Sequence, residues 1–468
     1  MKIKHDVNNI AIDPNNPFEN CKLGRAKYAE VLTSIVETYA DGFVLAINNE
    51  WGTGKTTFVK MWQQHLNPKL RTIYFNAWEN DFEQNPLAAI VSELSALQDK
   101  KSEKIFKSLI EKGAVLTKHI IPQIVKAIAS KYIDTEALHE TIEKTAEGIT
   151  EIFSNEIKNY ATKKKGFVEF REKLTEFIAA TENKKPIVFF IDELDRCRPD
   201  YAVQILENVK HFFSVSGIVF VLSIDKIQLS HAIRGFYGSD KINSDEYLRR
   251  FIDVEYSIPE PNTKDFCKYL FDFFEFDVFF NSKIRKTKNK FEKDKTKFID
   301  ASSLLFDKYR LPLRRQEKIF ANARIALNLF SDQWYIFPEL FITLIFLKGY
   351  SGEFYKKFYE MKSSLEDMLK SFAEIVPKNI EGETLNHFIH TEAMLAYFYN
   401  NSLAGSPKSL LKTDSNGEAS IVKSEIDLSE NNRIFTHFLS VIESNFDIRG
   451  ITHKFLLDKI ELIEPSTN

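Results

Sequence analysis

The chain has three cysteines, Cys21, Cys197 and Cys267, and no CxxC pair. That spacing excludes a disulfide framework or a cysteine-based zinc site, and it points to a reducing, cytoplasmic setting. Charge of one sign is equally scarce. Lys and Arg number 63 against 66 Asp and Glu, for a net −3, so no global field favours nucleic acid or acidic membranes. Long apolar runs are missing as well. GAVLTKHIIPQIVKAIA (113–129) is interrupted by Lys118, His119 and Lys126, and LFITLIFL (340–347) is bounded by Glu339 and Lys348. A spanning helix takes roughly 20 mostly apolar residues. Both stretches are therefore expected to be buried or amphipathic helices, with no integral membrane segment. The first residues, MKIKHDVNNIAID, carry no apolar core of a signal peptide. The ten histidines show no HExxH spacing, and no Ser-His-Asp grouping can be assembled. What is left is ordinary: 44% hydrophobic and 28% charged residues, as in soluble globular proteins, and 468 residues, enough for two or three domains.

Against that plain background one stretch stands out. NNEWGTGKTT (48–57) ends in GTGKTT, the heart of a phosphate-binding loop of pattern G-x-x-x-x-G-K-[ST], with Asn49 where the first Gly belongs. The context is right. GFVLAI (42–47) reads as a buried strand before it, and Phe58, Val59, Trp62 and Leu66 fall at helical intervals after it. Backbone N–H groups from Gly52 through Thr53, Gly54, Lys55 and Thr56 to Thr57 can curl around a phosphate, helped by the permissive angles of the two glycines. The helix N-terminus adds its dipole. Lys55 supplies a point charge and the Thr56 hydroxyl a ligand for Mg2+. Asn at position 49 is the non-Gly residue that best tolerates left-handed geometry, so its presence is expected to be harmless.

A second element strengthens the first. IVFFIDELD (187–195) sets Asp192 at the carboxyl end of a buried strand, where open α/β sheets bind ligands. Asp192 can hold the hydration shell of Mg2+. Glu193 can orient and deprotonate an attacking water. The plainer alternative is a polar turn after a core strand. SID (223–225) closes the next strand, where Ser223 or Asp225 is either a polar sensor of the terminal phosphate or a simple strand end. Arg234, Arg249, Arg250, Arg314 and Arg315 are candidate charge stabilisers, each alternatively a surface or ion-pair arginine. Trp51, Trp62 and Trp78 read as packing residues by type, although Trp51, inside the loop, is also counted with Gly52–Thr57 among the nucleotide-binding candidates. Cys197 reads as a small buried residue.

The remaining pattern is coarse. RTIYFNAWEND (71–81) is a strand entering a polar turn, RPDYAVQILENVKHFF (198–213) a helix with Pro199 in its first turn, and GIVFVLSID (217–225) another buried strand. Continuous apolar strands alternating with helices indicate a parallel sheet covered on both faces. Residues 96–165, with Ile105, Leu109, Leu138, Ile142 and Ile149 at helical spacing, read as a helical insertion. The sheet domain then occupies 15–95 and 166–262, and 263–468 is a helical region. KIRKTKNKFEKDKTK (283–297) is lysine-rich. It reads as a solvated loop, with contact to phosphate backbones as the alternative.

Together, NEWGTGKTT, FNAW, VFFIDELDRCRPDYAVQILENVKHFF, FVLSIDKIQLSHAIRGFYG and EYLRRFIDVEYSIPEP resemble the KAP family of P-loop NTPases, as does LGRAKYAEVL (23–32). The resemblance covers roughly residues 15–265 and extends loosely to about 330. It implies an α/β fold with a parallel sheet of the additional-strand type, a helical insertion and a C-terminal all-α region. It implies an ATPase using ATP and Mg2+, with Lys55 and Thr56 in the Walker A motif and Asp192 and Glu193 in the Walker B motif. Two departures stand: Asn49 replaces the first Walker A glycine, and the insertion is too charged to carry the membrane helices of many relatives. LPLRRQEKIF (311–320) resembles a downstream helix whose arginine senses the nucleotide. Protein partners and a homo-oligomer are expected, the latter to supply an arginine in trans, and bacterial relatives carry a link to phage defence. The expected function is an ATP-hydrolysing switch or assembly motor. The alternatives are a non-hydrolysing, ATP-gated scaffold and a nucleic-acid-stimulated ATPase.

Overall fold

The computed structural model describes residues 11–39, 42–83, 85–117, 149–181, 186–403, 408–414, 417–445 and 451–462. The chain divides into two compact units, one from Asn8 to Glu260 and one from Pro261 onward. Part of the stretch expected to be a helical insertion, including Leu138 and Ile142, and most of the apolar run 113–129 lie outside the described residues.

The first unit is built on five strands: β1 (Val44–Asn48), β2 (Arg71–Asn76), β3 (Ile187–Asp192), β4 (Ile218–Ile224) and β5 (Val254–Tyr256). Their order across the sheet is β2-β3-β4-β1-β5, and every pairing is parallel. Strand β4 thus stands between β1 and β3, which is the additional-strand arrangement. Every residue of β3 and β4 is buried. Continuous runs of Ile, Val, Phe and Leu are what a strand covered on both faces demands.

Both covers are helical. On one face Leu45, Ile47, Val188, Phe190 and Val221 pack against helices Ala26–Thr38 and Lys55–Leu66. Trp62 anchors that face. It is fully buried, stacks on Phe58, meets Phe190 edge-on at 5.2 Å, and donates from Nε1 to Thr33 Oγ1 at 3.0 Å. Truncating a buried aromatic of this size costs about 3–5 kcal/mol. On the other face Ala46, Phe75, Phe189, Ile191 and Phe220 meet residues of helices Pro86–Leu94, Glu103–Thr117, Ile149–Ala180, Pro199–Phe212 and Lys226–Tyr237. The parallel sheet leaves all carboxyl ends on one edge, and the candidate site residues lie along that edge.

The second unit is a stack of helices, from Thr263–Phe273 to Lys454–Ile460, with one small addition: an antiparallel hairpin of Leu411–Asp414 and Gly417–Ser420. Phenylalanine fills its interior. The ring of Phe298 lies 5.0 Å from Phe276, 5.5 Å from Phe280 and 5.5 Å from Phe320. Helix Pro338–Tyr350 has Leu340–Leu347 entirely buried, as its apolar run requires. Among the described residues no helix is long and apolar enough to cross a membrane.

The lysine-rich stretch corrects its sequence reading. It is not a solvated loop but two short helical turns, Lys283–Lys286 and Asn289–Phe291, leading into helix Asp294–Lys308. Arg285 within it is a core residue. It pairs with Asp294, donates to the Trp334 carbonyl at 3.0 Å and lies 3.9 Å from the centre of the Phe291 ring. The amphipathic lysines mask a cation that the surrounding rings and carbonyls hold inside.

Candidate functional site

The site begins where β1 stops. Asn48 ends the strand, and the chain turns through Asn49–Gly54 into helix Lys55–Leu66. Gly52 and Gly54 take φ of 82° and 79°, the left-handed region that costs residues with a Cβ. Asn49 does not. It is absent from the positive-φ residues, so left-handed tolerance is not why Asn stands there. Its side chain instead pairs with one backbone unit. Nδ2 donates to Ile258 O at 2.8 Å, and Oδ1 accepts from Ile258 N at 2.9 Å. The amide prolongs the β1–β5 pairing past the last strand residue and ties the loop's root to the sheet edge.

Lys55 opens the helix and is only 8% exposed. Its Nζ donates to the carbonyls of Asn49 and, at 3.0 Å, Glu50. Burial pushes the ammonium below its ordinary pKa, while Asp195, Asp225 and Asp192 push it back up. Thr53 Oγ1 donates to Glu50 O at 2.8 Å. Thr56 and Thr57 follow in the first helical turn, half-buried.

Sheet register sets the opposing wall. Asn76, Asp192 and Ser223 are register partners across β2, β3 and β4, and Ser223 pairs in turn with Ile47 of β1. A row of three polar side chains thus leads to the root of the loop. Asp192 is buried. Its Oδ2 accepts from the Tyr74 hydroxyl at 2.8 Å and its Oδ1 from the Glu193 backbone N–H at 2.9 Å. Burial, reinforced by Asp192, pushes the Tyr74 phenol well up, so it stays a donor. Ser223 is buried, and its Oγ has no hydrogen-bond partner among the described residues. Asp225, the other sensor candidate, caps helix Lys226–Tyr237 by accepting from Ile227 N and Gln228 N.

Glu193 adopts φ 60° and ψ 26°, a left-handed backbone in a residue with a full side chain. Such strain costs about 1–3 kcal/mol and gathers at functional positions. Its Oε1 pairs with Arg196 at 2.9 Å and its Oε2 accepts from Asn76 Nδ2 at 3.4 Å. Burial raises its pKa, Arg196 opposes that, and Asp192 adds to it. Arg196 also lies 5.5 Å over the Trp78 ring. The neighbouring Asp195 accepts from Trp51 Nε1, and its pKa is raised chiefly by burial. Trp51 and Trp78 are therefore not packing residues. They are 45% and 52% exposed, whereas Trp62 alone of the three fills the core. Cys197 is buried, and burial pushes its thiol up.

The candidate arginines separate. Arg249 pairs with Glu246 at 3.0 Å on the surface, and Arg250 is exposed beside it. The Nε of Arg234 is buried without a partner among the described residues. Arg314 and Arg315 belong to the second unit, where Arg315 donates to Gly349 O at 2.7 Å. The residue missed from the sequence is Arg25. It is 4% exposed and donates from both terminal nitrogens to the loop, to Thr53 O at 2.8 Å and Gly54 O at 3.1 Å. Only its place in LGRAKYAEVL, before the first helix, hinted at it.

As a set these groups suit a phosphate chain and a divalent cation. Lys55 is a buried cation whose hydrogen bonds go to carbonyls of its own loop. Asp192 is a buried carboxylate at the strand end, and Ser223 is an orphaned hydroxyl next to it. The sequence model of the KAP family P-loop domain matches residues 25–322. Among solved structures, the Aeropyrum pernix ORC2 protein (ADPNP–ADP complexes) aligns at 12% identity and a TM-score of 0.30, over 90% of this chain and 95% of that one. No curated protein matches.

Proposed function

Because the chain belongs to the KAP family of P-loop domains, we propose that it binds ATP with Mg2+ on Gly52–Thr57 and hydrolyses it. The observation that carries this reading is the convergence of buried Lys55 with Asp192 and Glu193 at the carboxyl edge of one parallel sheet. In this reading the N–H groups of the loop and the Lys55 ammonium bind the β- and γ-phosphates. The Thr56 hydroxyl and the Asp192 carboxylate hold the cation, which neutralises charge on the phosphates when bound. Ser223, whose Oγ has no partner among the described residues and lies on the strand next to that of Asp192, donates to the terminal phosphate. Glu193 accepts the proton of the attacking water at a carboxylate oxygen.

Both oxygens of Glu193 are engaged, by Arg196 and Asn76. These contacts hold the base in reserve, so turnover depends on their loosening. That engagement also supports the second reading, an ATP-gated scaffold that binds without turnover. Exposed Arg250 is available to a second copy, which would make turnover rise with concentration.

Phosphate release across a protein concentration series separates these readings. Turnover present in the wild type and lost in Lys55→Ala and Glu193→Gln supports the ATPase. ATP binding without turnover, lost only in Lys55→Ala, supports the scaffold. Equal release by all three proteins removes the site assignment.

A further inference from the structure

The loop's amide groups bind phosphate only if they face it. Two glycines with left-handed angles make the loop easy to form and equally easy to flip, since a glycine-flanked peptide plane rotates at little cost. Something must hold the planes in one orientation. The C=O and N–H of a trans peptide point in opposite directions within one rigid plane. The carbonyl of Thr53 shares its plane with the N–H of Gly54, and the carbonyl of Gly54 shares its plane with the N–H of Lys55. Arg25 donates to both carbonyls, at 2.8 and 3.1 Å.

We propose that Arg25 is a positioning residue for nucleotide binding: its guanidinium fork locks two adjacent peptide planes of the loop and so aims the amide N–H groups of Gly54 and Lys55 at the phosphates. The inference rests on the nucleotide reading given above. The Gly54 carbonyl also accepts the first helical bond, from Phe58 N at 3.1 Å, so the helix holds that plane from one side while Arg25 holds it from the other. The fork matters. A guanidinium presents two parallel donors in a fixed plane, whereas a lysine ammonium at the same place is a single flexible point. The anchor behind the fork is rigid. Arg25 is the residue at which helix Ala26–Thr38 begins, its own carbonyl accepts from Tyr28 N and Ala29 N, and the Phe18 ring before it packs 6.2 Å from Phe58 of the loop's helix. Burial lowers the pKa of Arg25, and among the described residues its side-chain acceptors are the two loop carbonyls.

The test compares wild type, Arg25→Lys and Lys55→Ala by titration with fluorescent ATP, ADP and AMP analogues, alongside thermal unfolding. Loss of the two-donor fork, and with it at least one of the two charge-assisted hydrogen bonds to the loop, is expected to weaken ATP and ADP binding about tenfold in Arg25→Lys. AMP, which has no β-phosphate, is expected to bind unchanged, with the unfolding midpoint held. That selectivity for the β-phosphate is what a merely structural arginine would not produce. If Lys55→Ala abolishes ATP binding while Arg25→Lys binds ATP like the wild type, the inference fails and the nucleotide reading stands. If the wild type binds no nucleotide, the nucleotide reading fails first. Should Arg25→Lys not fold, Arg25→Gln, which donates to one carbonyl only, carries the same comparison. Unfolding of both makes Arg25 a folding residue and overturns the proposal.

Discussion

The two units treat buried polar groups in opposite ways. In the sheet unit they gather at one edge. Lys55, Asp192, Asp195 and Ser223 are all buried at or beside the carboxyl ends of β1, β3 and β4. Their partners are partial or borrowed: Ser223 Oγ has none among the described residues, and Lys55 leans on loop carbonyls. In the helical unit buried charges are dispersed, and the main ones have local partners, although Arg285 Nε has none among the described residues. Arg285 has Asp294, two carbonyls and an aromatic cage. Glu392 accepts from Ser424 and from Glu425 N, and Asp427 accepts from Phe435 N and Ser429 N. Burying a charge is expensive in either unit. Closed local partners make such a charge part of the scaffold, whereas converging charges with incomplete partners are what a charged ligand would complete.

The sharpest way to break this contrast is chemical. Glu193→Gln is expected to lower turnover about 10²–10⁴-fold, the usual contribution of a positioned base, while unfolding stays near wild type. A large stability change would put Glu193 in the scaffold class instead. Next comes Arg285→Ala, which leaves Asp294 buried and unpaired. A loss of about 3–5 kcal/mol in denaturant unfolding is expected, with nucleotide affinity unchanged. Retained stability would mean the buried pair does not hold its unit together.

A third test uses pH. Burial raises the Glu392 carboxyl from 4.5 to about 7. The folded state therefore holds that proton more tightly than the unfolded chain. Its contribution is fully present below pH 4.5 and is lost as pH rises through about 7. His387 has the opposite sign. Burial lowers it from 6.5 to about 4, so stability tied to its neutral form is gained as pH rises across that window. In the wild type the two slopes oppose each other. Glu392→Gln removes the falling one, and relative to wild type it should gain on the order of 2 kcal/mol between about pH 5 and 8. Parallel wild-type and variant curves would show that Glu392 titrates normally. The smallest effect is expected at the loop's root. Asn49→Gly loses the paired hydrogen bonds to Ile258, at about 1 kcal/mol of stability, with ATP affinity within about threefold of wild type. A large loss of affinity would show that the β1–β5 tie shapes the phosphate loop itself.

Legibility differed along the same line. The parallel strands, the loop-to-helix turn and the acidic strand end are readable because each depends on short-range pattern: unbroken apolar runs, glycine spacing, and one lysine and one aspartate in fixed context; the strand order comes only from the family resemblance. Position 49 was read for the wrong reason, since pairing with Ile258 joins residues far apart in the chain. Trp51, Trp62 and Trp78 look alike in sequence, yet only Trp62 is enclosed, because burial depends on which face of which element a side chain meets. Arg285 was hidden among lysines that share its charge.

By itself, then, the sequence determined that this chain makes a parallel sheet with a phosphate-type loop facing an acidic strand end. Those features follow from backbone sterics and apolar periodicity, which act over a few residues. Only the tertiary structure decided who serves the site. Register places Ser223 next to Asp192. Packing brings Arg25 across 28 residues to the Thr53 carbonyl. A left-handed turn hands Glu193 to Asn76 and Arg196. Hydrogen bonds between distant segments depend on distance in space, and no local pattern in the chain encodes that distance.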